Sequence, residues 1–179
     1  MNMMAGVITS SFLLLNICST AIAGEKVAPH ATQGFETSAE FNFSSLYVWR
    51  GIMLDGDPVW QPSLYIKTPE SGLGRLKFGW WMSQDLKNRD ALKSSETDFI
   101  AEYDYNFSCL GLIAGHTYYD FPDALPADGA KKGWSREAYV GLALPKVFLY
   151  PSVYFYYDYG RKEDGGGQGN YAVLNLAYA

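Results

Sequence analysis

Proton-transfer and metal chemistry in a protein is most often read from its histidines, and this chain of 179 residues has two, His30 and His116. A lipid-modifying enzyme embedded in a membrane would need one of them beside a serine and a carboxylate. His116 stands in a patterned stretch near Tyr118, Tyr119 and Asp120. No G-x-S-x-G segment holds a serine in a strained turn, and a single strand histidine is more often structural. The histidines lack ligand spacing for a transition metal. The two cysteines, Cys18 and Cys109, make neither a zinc site nor a disulfide framework. Asp55-Gly56-Asp57 has two acids spaced as in a calcium loop but not the remaining ligands, so it reads as a tight turn. Gly165-Gly166-Gly167-Gln168-Gly169 lacks the Lys-Ser/Thr of a phosphate loop and reads as a flexible loop tip. The expectation is a protein that is not an enzyme, with no catalytic residue, no metal and no cofactor.

A second set of residues carries charge rather than catalysis. Arg50, Lys67, Arg75, Lys77, Asp98, Glu102, Asp104, Glu137 and Asp158 recur on one face of stretches whose opposite face is apolar. Lys77 follows the turn at 68–74, and Glu102 and Asp104 run toward the next turn on the neighbouring stretch. If both stretches are strands, Lys77 and the two acids lie at similar height and form ion pairs. Buried charges need such partners, so mutual neutralisation is the simpler reading and a path for solutes or ions the sharper one.

The elements that would position these charges have a period of two. Phe41, Phe43, Ser45, Tyr47 and Trp49 oppose Glu40, Asn42, Ser44 and Arg50. Trp60, Leu64 and Ile66 oppose Gln61, Ser63 and Lys67, and Leu76, Phe78, Trp80 and Met82 oppose Arg75, Lys77 and Ser83. Phe99, Ala101, Tyr103, Tyr105 and Phe107 oppose Asp98, Glu102, Asp104 and Asn106. Residues 109–119 are strand-like, with faces that the pattern does not assign. Ala138, Val140, Leu142 and Leu144 oppose Glu137, Tyr139 and Gly141. In 149–159, Leu149, Val153, Phe155, Tyr157 and Tyr159 oppose Ser152, Tyr154, Tyr156 and Asp158. In 171–179, Ala172, Leu174, Leu176 and Tyr178 oppose Asn175. That makes eight candidate strands and no amphipathic helix.

The connections alternate in length. Those at 68–74, 106–108 and 145–146 are short, those near 84–95, 120–134 and 160–170 are long and polar, and the first, 53–58, is intermediate. In an antiparallel sheet every second turn lies at the same end, and short turns at one end with long loops at the other mark a bacterial outer-membrane barrel. Runs of about 9–11 residues are long enough to span a bilayer when tilted. Aromatic residues make up 16% of the chain, too many for a disordered segment. Tyr47, Trp49, Trp60, Phe107, Trp134, Tyr159 and Tyr178 fall near strand ends, where interfacial girdles sit. The formal charge of −5 leaves no basic stripe for nucleic acid.

Residues 1–23 carry no charged side chain and end in Ala21-Ile22-Ala23, an A-x-A site, so they read as a secretory signal peptide. Residues 24–35 read as a flexible N-terminal lead-in and 36–179 as the barrel. The chain stops at Tyr178-Ala179 inside a strand-like run, without the terminal Phe common in such barrels. About eight strands are therefore expected here, either as a whole small barrel or as a piece of one with roughly ten or twelve.

The segment Ser45-Leu46-Tyr47-Val48-Trp49-Arg50-Gly51-Ile52, followed by Asp55-Gly56-Asp57-Pro58, resembles the opening strand of the TorF-type porin family of bacterial outer membranes. The stretch from Glu96 to Phe107 is similar to that family's later acidic strand. The match covers about 45–66, and the chain is short for the family. The resemblance implies an all-β fold, an antiparallel transmembrane β-barrel acting as a porin or channel for small solutes. It implies no catalytic residue. The alternative is a small non-conducting structural or adhesion barrel that displays its loops, because an eight-stranded lumen is packed by side chains. The lipid-modifying enzyme comes third. The expected partners are outer-membrane lipid, the outer-membrane assembly machinery and, for a pore, small solutes.

Overall fold

The computed structural model describes residues 13–17, 34–87, 95–122, 133–160 and 169–178. The described residues form strands and no helix. In chain order the strands are β1 (Leu13–Ile17), β2 (Glu36–Ser44), β3 (Tyr47–Trp49), β4 (Ile52–Asp55), β5 (Val59–Lys67), β6 (Arg75–Asp85), β7 (Glu96–Phe107), β8 (Leu110–Phe121), β9 (Gly133–Ala143), β10 (Ser152–Asp158) and β11 (Gly169–Leu176). Eight of them, β2 and β5 to β11, make one antiparallel meander in which each strand pairs with its neighbour in this order. β1 lies parallel to β11 at one edge, and β2 is the other edge. β1 falls within the expected signal segment; the lead-in 24–33 and most of the three long connections lie outside the described residues.

Strands β6 to β9 run 11 or 12 residues. That exceeds the usual strand of about 5–6 residues. Aromatic and β-branched residues on alternate positions favour the pleat, and keeping one face apolar throughout excludes any one-residue slip of register. Lys67 stands opposite Lys77, Lys77 opposite Glu102, Glu102 opposite Gly115 and Gly115 opposite Tyr139. The pairing assigns the faces of β8 that the sequence leaves open. Leu112, Ala114, His116 and Tyr118 lie with Leu142, Val140, Ala138 and Arg136 on the apolar face; Gly115, Thr117 and Tyr119 lie on the polar one. Pro62 interrupts β5, because it offers no N–H to the ladder; the pairing of β5 with β6 skips 61 and 62.

Two expectations are corrected. The alternation across 40–50 is not one strand. The chain leaves β2 after Ser44 and folds β3 and β4 into a separate hairpin. Its tip, Arg50-Gly51, has φ of 52° and 80°, the left-handed pair that a two-residue hairpin turn needs; Gly51 takes it freely. Tyr47 and Trp49, expected in an outer girdle, are turned inward by this reversal. The sixth connection is not the two residues 145–146 but 144–151. Pro145 and Pro151 bound it, and Leu149 and Tyr150 take positive φ (66° and 40°), so Leu149 belongs to a turn and not to a strand face. Amide–carbonyl bonds from Val147 to Leu144 and from Tyr150 to Val147 close it.

The sheet curls. Tyr139 on β9 reaches across β8 to donate to Glu102 Oε2 on β7 at 2.6 Å. Arg50, in the connection between β2 and β5, meets residues of β9, β10 and β11. Strands lie about 5 Å apart, so such contacts across several strands need a concave polar face.

Candidate functional site

The concave face borders an open cavity of about 830 Å³ lined from β5 to β11 and by the β3–β4 hairpin. Five of the nine charged residues singled out by pattern line it: Arg50, Lys77, Asp98, Glu102 and Glu137. Lys67, Arg75 and Asp104 share that face nearer the 68–74 turn, where Lys67 lies between Glu36 and Lys77 in register and Arg75 opposite Asp104. Asp158 sits near the other end of the strands, next to Glu137 in register; its Oδ1 accepts from Ser135 Oγ at 2.6 Å and from the Gly160 amide at 2.9 Å.

Burial is inverted relative to a water-soluble sheet. Glu137, Glu96 and Asp98 are 1%, 2% and 8% exposed, whereas Phe99 and Val140 are 53% and 57% exposed. Phe41, Phe43, Leu76, Phe78, Leu142, Val153 and Phe155 continue the exposed apolar face. Apolar patches of this extent are rare on soluble monomers. At the end of the strands with long connections, Phe43 stacks on Trp60, Tyr118 on Trp134 and Tyr157 on Tyr159. At the other end Phe148 meets Tyr178 edge-on and Phe107 is exposed.

Inside, the carboxylates are satisfied in distinct ways. Lys77 and Glu102 form an ion pair between register partners. Arg75 pairs with Glu36 on the edge strand. Arg50 Nη2 lies 2.9 and 2.8 Å from the two oxygens of Glu137, and Tyr119 Oη donates to Glu137 Oε1 at 2.9 Å. The guanidinium is also held 3.3 Å above the Tyr171 ring and 3.8 Å above that of Trp49. Tyr47 Oη donates to Glu96 Oε2 at 2.9 Å. Burial, and then the Glu96 carboxylate, raise the Tyr47 phenol well above its ordinary range, so the hydroxyl stays a donor at neutral pH. Asp98 has no cation: its side chain hydrogen-bonds to the Glu96 carboxyl, and its Oδ1 is buried with no hydrogen-bond partner.

Tyrosines fill the rest of the polar face, and glycines make room for them. Tyr65 stands opposite Gly79, Tyr139 opposite Gly115 and Tyr154 opposite Gly141. A Cβ on those glycines would come within 2.6, 2.2 and 2.7 Å of the facing ring. A glycine in a strand interior weakens the strand, and a close-packed neighbour is the usual reason for one. Tyr139, Tyr156 and Tyr171 then continue as a row across three strands, with ring centroids 5.1 and 4.5 Å apart.

Parity alone places Glu96 with Asp98 and Glu102, so this residue was within reach of the sequence pattern. Tyr139, Tyr154 and Tyr156 already stand on the charged face in the sequence. The inward turn of Tyr47 and Trp49 carried no such signal. On the outer face, His116 Nε2 lies 2.7 Å from Tyr159 Oη. Asp55 Oδ1 accepts from the Asp57 amide at 2.8 Å, which is a turn contact. Among the described residues no group of three or more His, Cys, Asp and Glu is arranged to hold a metal ion. No protein-family model, curated protein or solved structure matches the chain.

Proposed function

We propose that this chain is an outer-membrane β-barrel of eight spanning strands whose lumen is plugged, so that small solutes pass only when the β3–β4 hairpin is displaced. The observation that carries the reading is the inversion of burial: polar and charged residues inside and large apolar residues outside, alternating along most strands of the large sheet. Lipid accepts that outer face and water does not. In lipid every backbone group must be paired, so the edges of this sheet must be paired in a closed barrel. The aromatic pairs at both ends of the strands then sit at the two interfaces. The resemblance of 45–66 to the TorF-type porins points to the same membrane.

An eight-stranded barrel is just wide enough to be filled by side chains or to hold one small ligand. Here the hairpin, the tyrosine row and two ion pairs occupy the centre, which favours a plugged lumen over an open pore.

Single-channel recording in planar bilayers tests this. The wild-type chain is expected to insert and to give no steady conductance. A chain with Arg50→Ala, which frees the hairpin tip, is expected to show openings. Steady conductance of the wild type would sink the plugged lumen, and failure of correctly folded protein to enter bilayers would sink the barrel.

A further inference from the structure

Each carboxylate that lines the cavity has a cation, except one. Glu137 has Arg50, and Glu102 has Lys77. Asp98 has neither, and its Oδ1 lacks any partner although the side chain is more than nine-tenths buried. Its neighbour on the same face, Glu96, is another buried carboxyl and brings no positive charge. The two carboxyls hydrogen-bond to each other, so the pair still carries a negative charge with no cation, and Oδ1 of Asp98 has no donor. A buried charge left so is costly, and the site is one donor and one positive charge short.

The walls around Asp98 are aromatic. Its register neighbours are Trp81 on β6 and Tyr119 on β8. Tyr47 packs on Trp81 at 5.6 Å between centroids, and Trp49 on Tyr119 at 6.2 Å. A carboxylate framed by aromatic faces suits an organic cation, which gains a charge-assisted hydrogen bond and the attraction of the rings together. The chain itself sets the precedent in the same cavity: the Arg50 guanidinium lies on Trp49 and Tyr171 while it pairs with Glu137.

We propose that the cavity binds a primary alkylammonium ion, with the ammonium on Asp98 and the alkyl stem against Trp81 and Tyr119. A primary amine fits better than a quaternary one because Oδ1 needs a hydrogen-bond donor. A cavity of about 830 Å³ accommodates a small solute of this kind. Binding is a property of the folded interior and does not depend on conduction.

Titration calorimetry of the folded, full-length chain in detergent, with butylammonium, butan-1-ol and butyrate as probes, tests the proposal. Butylammonium is expected to bind at least roughly tenfold more tightly than either of the others, and Asp98→Asn, which keeps the shape and removes the charge, to abolish that preference. If butan-1-ol binds as well as butylammonium, or if Asp98→Asn keeps the preference, the proposal fails. Protonation of both Asp98 and Glu96 would give the first of these results. The wild-type comparison of the three probes decides the matter even if the variant does not fold.

Discussion

The two ion pairs of the cavity are built on different principles. Lys77 and Glu102 face each other on adjacent strands, and keeping the apolar face outward puts both on the polar side, where the observed register brings them together. Arg50 and Glu137 are separated by 87 residues, and Arg50 belongs to no strand of the large sheet; a hairpin that folds back into the concave face delivers it. The first pair follows from the sheet, and the second helps decide what the sheet encloses. Their surroundings differ accordingly. Glu137 is almost wholly buried and depends on Arg50 and Tyr119, whereas Glu102 is 12% exposed and also takes the Tyr139 hydroxyl.

Removing the cation from the hairpin pair should therefore do the most damage. Arg50→Ala leaves Glu137 buried without its charge partner, a situation that costs about 3–5 kcal/mol. It also releases Trp49 and Tyr171 from the guanidinium. Urea unfolding in detergent, followed by tryptophan fluorescence, should show a loss of that size. The double change Arg50→Met with Glu137→Leu should recover most of it, because an apolar pair of similar volume needs no compensation. If the double change is as unstable as Arg50→Ala, the cost lies in the hairpin and not in the stranded charge.

The same contrast explains what could be read from the sequence. Alternation fixes which side chains share a face, and loop lengths fix which turns share an end, so the antiparallel order and the nearness of Lys77 to Glu102 and Asp104 can be read, while the choice of Glu102 rests on the register. Alternation also continues through a reversal of the chain. Phe41, Phe43, Tyr47 and Trp49 keep one parity, yet the break at Ser45-Leu46 and the turn at Arg50-Gly51 send the last two inside. What draws Tyr47 inward is the buried Glu96 carboxylate, which lies 49 residues away in the chain and leaves no local trace. Gly79, Gly115 and Gly141 read as neutral positions until their cross-strand tyrosines are known.

Those glycines give the intermediate effect. At Gly115 an added methyl would stand 2.2 Å from the Tyr139 ring, which lies over the glycine to reach Glu102. Gly115→Ala must push the ring away and weaken that hydrogen bond, so a loss of about 1–3 kcal/mol is expected from overpacking. The same unfolding assay reads it. Adding Tyr139→Phe should then cost less than it does in the wild type, because the hydroxyl has already moved. Equal costs in both backgrounds would mean that the ring tolerates the methyl in place.

The smallest effect belongs to the pair that was easiest to foresee. Lys77→Met removes the ammonium and keeps the stem that lies along the sheet. Glu102 retains Tyr139, and both charged groups border the cavity, with Lys77 22% exposed, so water replaces part of what is lost. The expected cost is about 1 kcal/mol, as for pairs that solvent can reach. Raising the salt concentration should narrow the gap between Lys77→Met and wild type and leave that of Arg50→Ala nearly unchanged, since screening acts on pairs open to solvent more than on buried ones. If Lys77→Met proves as damaging as Arg50→Ala, the two pairs are equally dry, and the division between a wetted sheet pair and a sealed hairpin pair is wrong.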